Sequence, residues 1–263
     1  MNLQPYLDFT TSLAYRAGRI TLGYFNTGIR PDFKADDSPV TVADRTAEQF
    51  IRGEIERAYP GHAIVGEEFG ESPSPLGGGQ GEGDISFRWI VDPIDGTKSF
   101  VQGVPMYGVL IGLEIEGVVQ VGAAYFPALD EMLCAADGLG AWWNGRRAQV
   151  STVSEISRAV VCLTDVKSFE ETGRQAEWDR LRRACWITRG WSDCYGYLLA
   201  ATGRAEVCLD ADLKIWDCGP FPVIFREAGG FFGSWAGEEG HTFGEALACN
   251  AALKPKVLEL MRG

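Results

Sequence analysis

Apolar residues recur at helical intervals near the start of the chain, at Leu3, Leu7, Ala14, Ala17 and Tyr24. Gly23, Gly28 and Pro31 end that pattern, which predicts a first amphipathic helix. A second stripe, Ala47, Phe50, Ile51, Ile55 and Ala58, predicts another helix, with Asp44 as a plausible N-cap and Pro60-Gly61 closing it. Between the two lies a polar, turn-rich loop, Lys34-Ala35-Asp36-Asp37-Ser38-Pro39. Ser72 to Gly83 holds Pro73, Pro75 and five glycines and reads as a flexible surface loop. Phe87 to Val91 reads as a buried strand, and Val109 to Ile115 and Val118 to Tyr125 as two strands of the same sheet joined by a tight turn at Glu116-Gly117. After the turn signal Asn144-Gly145 the pattern changes to strands such as Ala159 to Leu163 alternating with helices, including Ser192 to Thr202 and one starting near Asp217. A boundary near Val150 would divide the chain into an N-terminal α+β subdomain, 1–150, and a C-terminal α/β subdomain, 151–263.

The chain has 263 residues and a formal net charge of −12, which argues against nucleic acid as a main partner. No apolar run approaches the roughly 20 residues needed to cross a bilayer, so no membrane partner is expected. Met1-Asn2-Leu3-Gln4-Pro5 lacks the basic and apolar pattern of a secretion signal. The 7 cysteines are scattered and never spaced Cys-x-x-Cys, which reads as reduced thiols in the cytoplasm. With His62 and His241 the sole imidazoles, any metal would be held by carboxylates and carbonyls, favouring Mg²⁺, Mn²⁺ or Ca²⁺.

Three segments bring carboxylates to the ends of predicted elements: Gly66-Glu67-Glu68, Asp92-Pro93-Ile94-Asp95-Gly96-Thr97, and Trp216-Asp217. In the middle one a buried strand runs into Asp92, Pro93 fixes the backbone, Asp95 follows three residues on and Gly96 permits a close turn. Two carboxylates and the Ile94 carbonyl would then face one small volume, where a proton or a hard cation must sit between them. Oxygen ligands select Mg²⁺. Taken singly, each segment also has a plain reading: Asp, Pro and Gly form turns, Glu67 suits a solvated loop, and Asp217 suits a helix N-cap.

Together these segments, with Trp89-Ile90-Val91 before Asp92, Lys98-Ser99-Phe100 after Thr97 and Glu227-Ala228-Gly229-Gly230 after Asp217, resemble the inositol monophosphatase superfamily of Mg²⁺-dependent, lithium-sensitive phosphomonoesterases. The resemblance covers nearly the whole chain. It implies a layered α/β fold, an αβαβα sandwich of the inositol monophosphatase and fructose-1,6-bisphosphatase type, in a homodimer with two or three Mg²⁺ ions at the junction of two subdomains. It implies Glu67, Asp92, the Ile94 carbonyl, Asp95 and Asp217 as metal ligands, with Mn²⁺ a possible substitute. Glu67 and the Thr97 hydroxyl would orient a water and take its proton, the Gly96 and Thr97 amides would bind phosphate oxygens, and attack would be direct, without a phosphoenzyme. Lys34 and Asp44 match family positions near the metals; a solvated loop lysine and a helix cap are their plain readings.

The stretch Thr188-Arg189-Gly190-Trp191-Ser192-Asp193-Cys194-Tyr195-Gly196-Tyr197 resembles the histidinol-phosphate phosphatase branch more than the inositol branch. Histidinol phosphate carries an ammonium and an imidazole, so a pocket carboxylate such as Asp193 would be useful; Asp193 could equally cap the helix that follows. Arg189 could meet the phosphate or hold a subunit contact. Lys98 also resembles the branch acting on 3′-phosphoadenosine 5′-phosphate, which, with inositol phosphates, stands as the alternative substrate. A slow-turnover binding or regulatory protein is the alternative of another class. Pro220 and Pro222 depart from the family's pattern, and Pro222 is expected to loosen or kink its helix.

Overall fold

The computed structural model describes residues 1–34, 39–72, 86–191 and 193–263. The polar loop after Lys34 and most of the Pro- and Gly-rich stretch therefore lie outside the described residues, as does Ser192; Ser72 itself ends a strand. Helix α1 spans Gln4–Leu22, and a short antiparallel pair, β1 (Asp32–Phe33) and β2 (Pro39–Val40), leads into α2 (Val42–Ala58). Strands β3 (Ala63–Gly66), β4 (Gly70–Ser72), β5 (Phe87–Asp95), β6 (Gly108–Ile115), β7 (Val118–Phe126), β8 (Glu131–Ala136), β9 (Gly140–Trp143) and β10 (Arg146–Arg147) form an eight-stranded sheet among the described residues, ordered β10-β9-β8-β7-β6-β5-β3-β4. The five-residue helix α3 (Thr97–Val101) follows β5. A second sheet, ordered β12-β11-β13-β15-β14, is built from β11 (Val160–Cys162), β12 (Ile187–Arg189), β13 (Val207–Asp210), β14 (Gly230–Gly233) and β15 (Ala246–Asn250). Its helices are α4 (Val166–Glu171), α5 (Gln175–Ala184), α6 (Cys194–Ala201), α7 (Ile215–Cys218), α8 (Phe221–Ala228) and α9 (Lys254–Arg262).

The two faces of each strand sort these elements into layers. Side chains alternate across a strand, so Trp89, Val91, Val109, Ile111 and Val121 pack against Leu13, Ala17, Ile51 and Ile55 of α1 and α2. Ile90, Leu110 and Ala124 face the other way and meet Tyr197, Leu198, Phe221 and Phe225 of α6 and α8, which also cover Cys162, Cys208 and Ala248 of the second sheet. The far face of that sheet, Val161, Val207 and Leu247, is closed by Phe169, Trp178, Leu181 and Val257. The order is helix, sheet, helix, sheet, helix: the expected αβαβα sandwich. Every residue of β6 is buried, as the middle of a sheet covered on both faces requires.

The turns fall where the chain signals them. Glu116-Gly117 joins β6 to β7 and Asn144-Gly145 joins β9 to β10 as two-residue loops, all four residues at positive φ. Three details differ from expectation. The N-cap of α2 is Thr41, whose hydroxyl accepts from the Ala43 amide, and Asp44 is the N3 partner that accepts from the Thr41 amide at 2.8 Å. The strand predicted over Phe87 to Val91 continues to Asp95. Finally, the helix expected near Asp217 is two helices, α7 and α8, with Pro220 at the N-cap of α8 and Pro222 in its first turn. There the missing proline N–H has no intrahelical acceptor to lose, so the expected kink is replaced by a break before the helix.

That break sits on a bare patch of the first sheet. Gly112 of β6 pairs with Gly122 of β7, and a β-carbon on either would collide with the backbone of Gly219 or Pro220. The absence of two side chains lets the connection between α7 and α8 rest on the sheet, which fixes the height at which Asp217 enters the site. Gly112→Ala is expected to cost about 1–3 kcal/mol by overpacking, read as a lower urea midpoint at unchanged m-value. An unchanged midpoint would show that the patch has slack.

Candidate metal centre

β3 and β5 run parallel with Gly66 opposite Val91, so Glu67, leaving β3 at its carboxyl end, comes out beside Asp92, which is still paired in β5. The Glu67 amide still donates to the Val91 carbonyl at 3.3 Å. Residues three apart on a regular strand point to opposite faces, and Asp92 and Asp95 should therefore diverge. They do not, because Asp92 pairs with Leu110 and Asp95 with Gly108, leaving two residues of β5 opposite one of β6. This is a β-bulge at Pro93-Ile94, where a residue without an N–H is tolerated in a sheet. The extra residue resets the alternation, and the close turn comes at Gly96, as expected, with φ 84°.

Asp217 completes the group from α7: oxygens of Asp92, Asp95 and Asp217 all lie within 4.8 Å of one another. Asp92 is buried and the other two are half-buried. Asp92 accepts from the Ile94 amide at 3.0 Å. Burial first, and then the neighbouring carboxylates, push Asp92 and Asp95 well above the usual range. An all-oxygen donor set crowded within 4.8 Å fits a hard divalent cation.

Each ligand candidate is held by its own partners. Asp95 accepts from the Cys194 amide at 2.6 Å, and Asp217 from the Lys214 amide at 2.6 Å, as the N3 residue of α7 rather than its N-cap. Lys34 donates to Glu67 and to Glu68, each at 2.7 Å. Burial raises Glu67 to about 7, and Lys34 only partly offsets it. The Ile94 carbonyl, read as free, accepts from the Thr97 hydroxyl at 3.1 Å and keeps a second lone pair. The same hydroxyl lies 3.2 Å from Asp44, so the helix cap of α2 also orients Thr97.

Beside these groups is a cavity of about 230 Å³, lined by Asp95, Lys98, Asp165, Glu171, Asp193 and Asp210 among others. Asp193 occupies the N-cap position of α6 at φ 47°, but its side chain does not cap the helix; it accepts from the Ser99 hydroxyl at 2.9 Å. Arg189 is not brought there. It ends β12, donates to the Thr188 carbonyl, and lines a separate cleft with Trp178 and Gly190. Sequence reasoning missed Asp210, which accepts from the Tyr197 hydroxyl at 2.7 Å and is raised by burial to about 7. Its signal is the one used for Asp92, a buried strand that ends in an acid. Cys194 is buried, and burial followed by the charge of Asp95 pushes its thiol well up, which disfavours it as a nucleophile. No helix among the described residues is long and apolar enough to cross a membrane, and all seven cysteines are free.

Glu67, near 7, and Asp217, raised by burial to about 6, both exceed their ordinary 4.5 and 3.8. Without divalent cations the folded chain holds these protons more tightly than the unfolded chain, so their contribution is fully present below about pH 4 and is lost as pH rises through 6 to 7. In chelator, the urea midpoint is expected to fall across that window more steeply than in Asp95→Asn, which removes one of the repelling charges. Equal slopes would contradict the crowding of these groups.

Residues 2–262 match the inositol monophosphatase family. A histidinol-phosphatase of Chlorobaculum parvum is 44% identical over 93% of this chain and 92% of its own, and one of Mycobacterium tuberculosis is 36% identical over 96% of each. The crystal structure of extragenic suppressor protein suhB from Bartonella henselae superposes with a TM-score of 0.87 at 27% identity, covering 98% of this chain and 99% of that one. With that fold and these carboxylates, the chain belongs to the inositol monophosphatase family and is a phosphomonoester hydrolase.

Proposed function

We propose that this phosphatase converts histidinol phosphate to histidinol and inorganic phosphate, using Mg²⁺ held by Glu67, Asp92, the Ile94 carbonyl, Asp95 and Asp217. The observation that carries the reading is the convergence of Asp92, Asp95 and Asp217 within 4.8 Å beside a cavity with further carboxylates, among them Asp193 and Asp210. Such a wall suits a substrate whose organic part is cationic, and the histidinol-phosphatases of C. parvum and M. tuberculosis support the same choice. In this reading residues 1–150 supply most of the ligands, 151–263 complete the site, and the enzyme works as a homodimer in the cytoplasm.

When bound, divalent cations supply neutralisation of the phosphate dianion and acidification of a water. The chain's own residues do the rest. Glu67 accepts the proton of the attacking water, and the Thr97 hydroxyl, fixed between Asp44 and the Ile94 carbonyl, orients that water. The Gly96 and Thr97 amides hold phosphate oxygens, and Lys34 steadies Glu67 from the opposite side. Water attacks phosphorus directly as the bond to the ester oxygen breaks, and the leaving alkoxide takes up a proton. Asp193 faces the substrate's ammonium while keeping its bond to Ser99.

Side-by-side kcat/KM values for histidinol phosphate, inositol 1-phosphate and 3′-phosphoadenosine 5′-phosphate test the substrate. A preference of about 100-fold for the first, roughly 2.7 kcal/mol in the transition state, is expected, with all three activities lost in chelator. A flat profile would remove the substrate assignment. Asp95→Asn is expected to abolish turnover with an unchanged circular dichroism spectrum, and retained activity would remove the metal assignment. Asp193→Asn, which keeps an acceptor for Ser99, is expected to lose far more on histidinol phosphate than on β-glycerophosphate. Equal losses would leave Asp193 outside substrate recognition.

A further inference from the structure

Glu48 and Arg52 form an ion pair at 2.7 Å on α2, with Glu48 fully buried and Arg52 7% exposed. Burying two charges is unfavourable, and a pair of apolar side chains would serve the core as well or better. What the pair touches is the three-residue turn Glu67-Glu68-Phe69 that joins β3 to β4. Glu48 Oε2 accepts from the Glu68 amide at 2.7 Å, and Oε1 accepts from the Phe69 amide at 3.3 Å as well as from Arg52 Nε. Arg52 donates to the Gly70 carbonyl and, at 3.0 Å, to the Ser72 hydroxyl. The two side chains thus take two amides of the turn and two polar groups of β4. Gly66 makes room for them, because a β-carbon there would collide with the Glu48 carboxylate and press on the Arg52 guanidinium. This gives a physical reason for the glycine of the Gly66-Glu67-Glu68 motif.

We infer that the buried Glu48–Arg52 pair is a positioning device for the metal centre, fixing the backbone of the turn so that the Glu67 carboxylate faces Asp92. The inference rests on Glu67 being a metal ligand. Neither Glu48 nor Arg52 touches the substrate, so both act through Glu67. Two clamps then act on one turn: Lys34 on the carboxylates of Glu67 and Glu68, and the ion pair on the amides behind them.

Calorimetric titration of the full chain with Mg²⁺ tests this, alongside the thermal midpoint in chelator. Glu48→Gln is expected to raise the Mg²⁺ dissociation constant about 10- to 100-fold, the usual cost of losing an outer-shell support. The double variant Glu48→Met with Arg52→Met leaves no unpaired buried charge and covers the case in which Glu48→Gln fails to fold. It is expected to weaken Mg²⁺ binding to the same extent while keeping its midpoint in chelator near that of the parent. Ile55→Val, a core change on the same helix, should lower the midpoint without moving Mg²⁺ affinity. Mg²⁺ affinity within twofold of the parent in whichever variant folds would overturn the inference while Asp95→Asn still abolishes binding. If Asp95→Asn also binds Mg²⁺ like the parent, the metal assignment itself fails, and the inference with it.

Discussion

Like charges that must sit close together set the terms for this structure. Three carboxyls within 4.8 Å of one another are held against their mutual repulsion by the surrounding fold. The fold meets this demand with backbone rather than with countercharge. Asp95 is bound by an amide of α6 and Asp217 by an amide of α7, while Asp92 takes the amide of Ile94. Glu67, at the rim, is ion-paired with Lys34, and that lysine is shared with Glu68. Among the described residues no ion pair engages Asp92, Asp95 or Asp217, so acids oriented by amides stay attractive to a divalent cation.

The geometry depends on two irregularities in otherwise regular elements. The bulge in β5 turns Asp95 to the side of Asp92, and the break between α7 and α8 sets Asp217 opposite both. Each is made possible by residues whose value lies in what they lack. Pro93 and Pro222 have no N–H to leave unsatisfied, while Gly112 and Gly122 have no side chain to hold the helix connection away from the sheet. Asp44 shows the same economy in another form: one carboxylate completes the cap of α2 and aligns Thr97.

Much of this was legible in the sequence because it is written in local patterns. The amphipathic stripes of α1 and α2, the glycine-bearing hairpin turns and the three acidic segments each announce themselves within a dozen residues. The bulge was not legible, since Asp92-Pro93-Ile94-Asp95 is equally good chemistry for a turn, and only pairing with Leu110 and Gly108 distinguishes the two. Asp44 was read as an N-cap three positions late, because Thr41 and Asp44 divide a task that either could begin. For Arg189 the sequence leaves the phosphate and a subunit contact open, and strand β12, at the edge of its sheet, carries it to another cleft. Glu48 and Arg52 were invisible for a different reason. They sit beside the apolar stripe of a helix, where charged residues ordinarily read as solvated, and their partners, two amides for Glu48 and a carbonyl and a hydroxyl for Arg52, lie some 20 positions away.

The short turn before the interruption between α7 and α8 carries two kinds of constraint at once. Phe221, Ile224 and Phe225 of α8 are locked into the layer between the two sheets, where any change of volume is felt throughout the core. The single turn of α7 carries Asp217 and is joined to that layer through Gly219 and Pro220. Cys218 of that same turn is buried in the layer, and Ile215 and Trp216 pack against it, so a change beside Asp217 is felt by the core as well as by the chemistry.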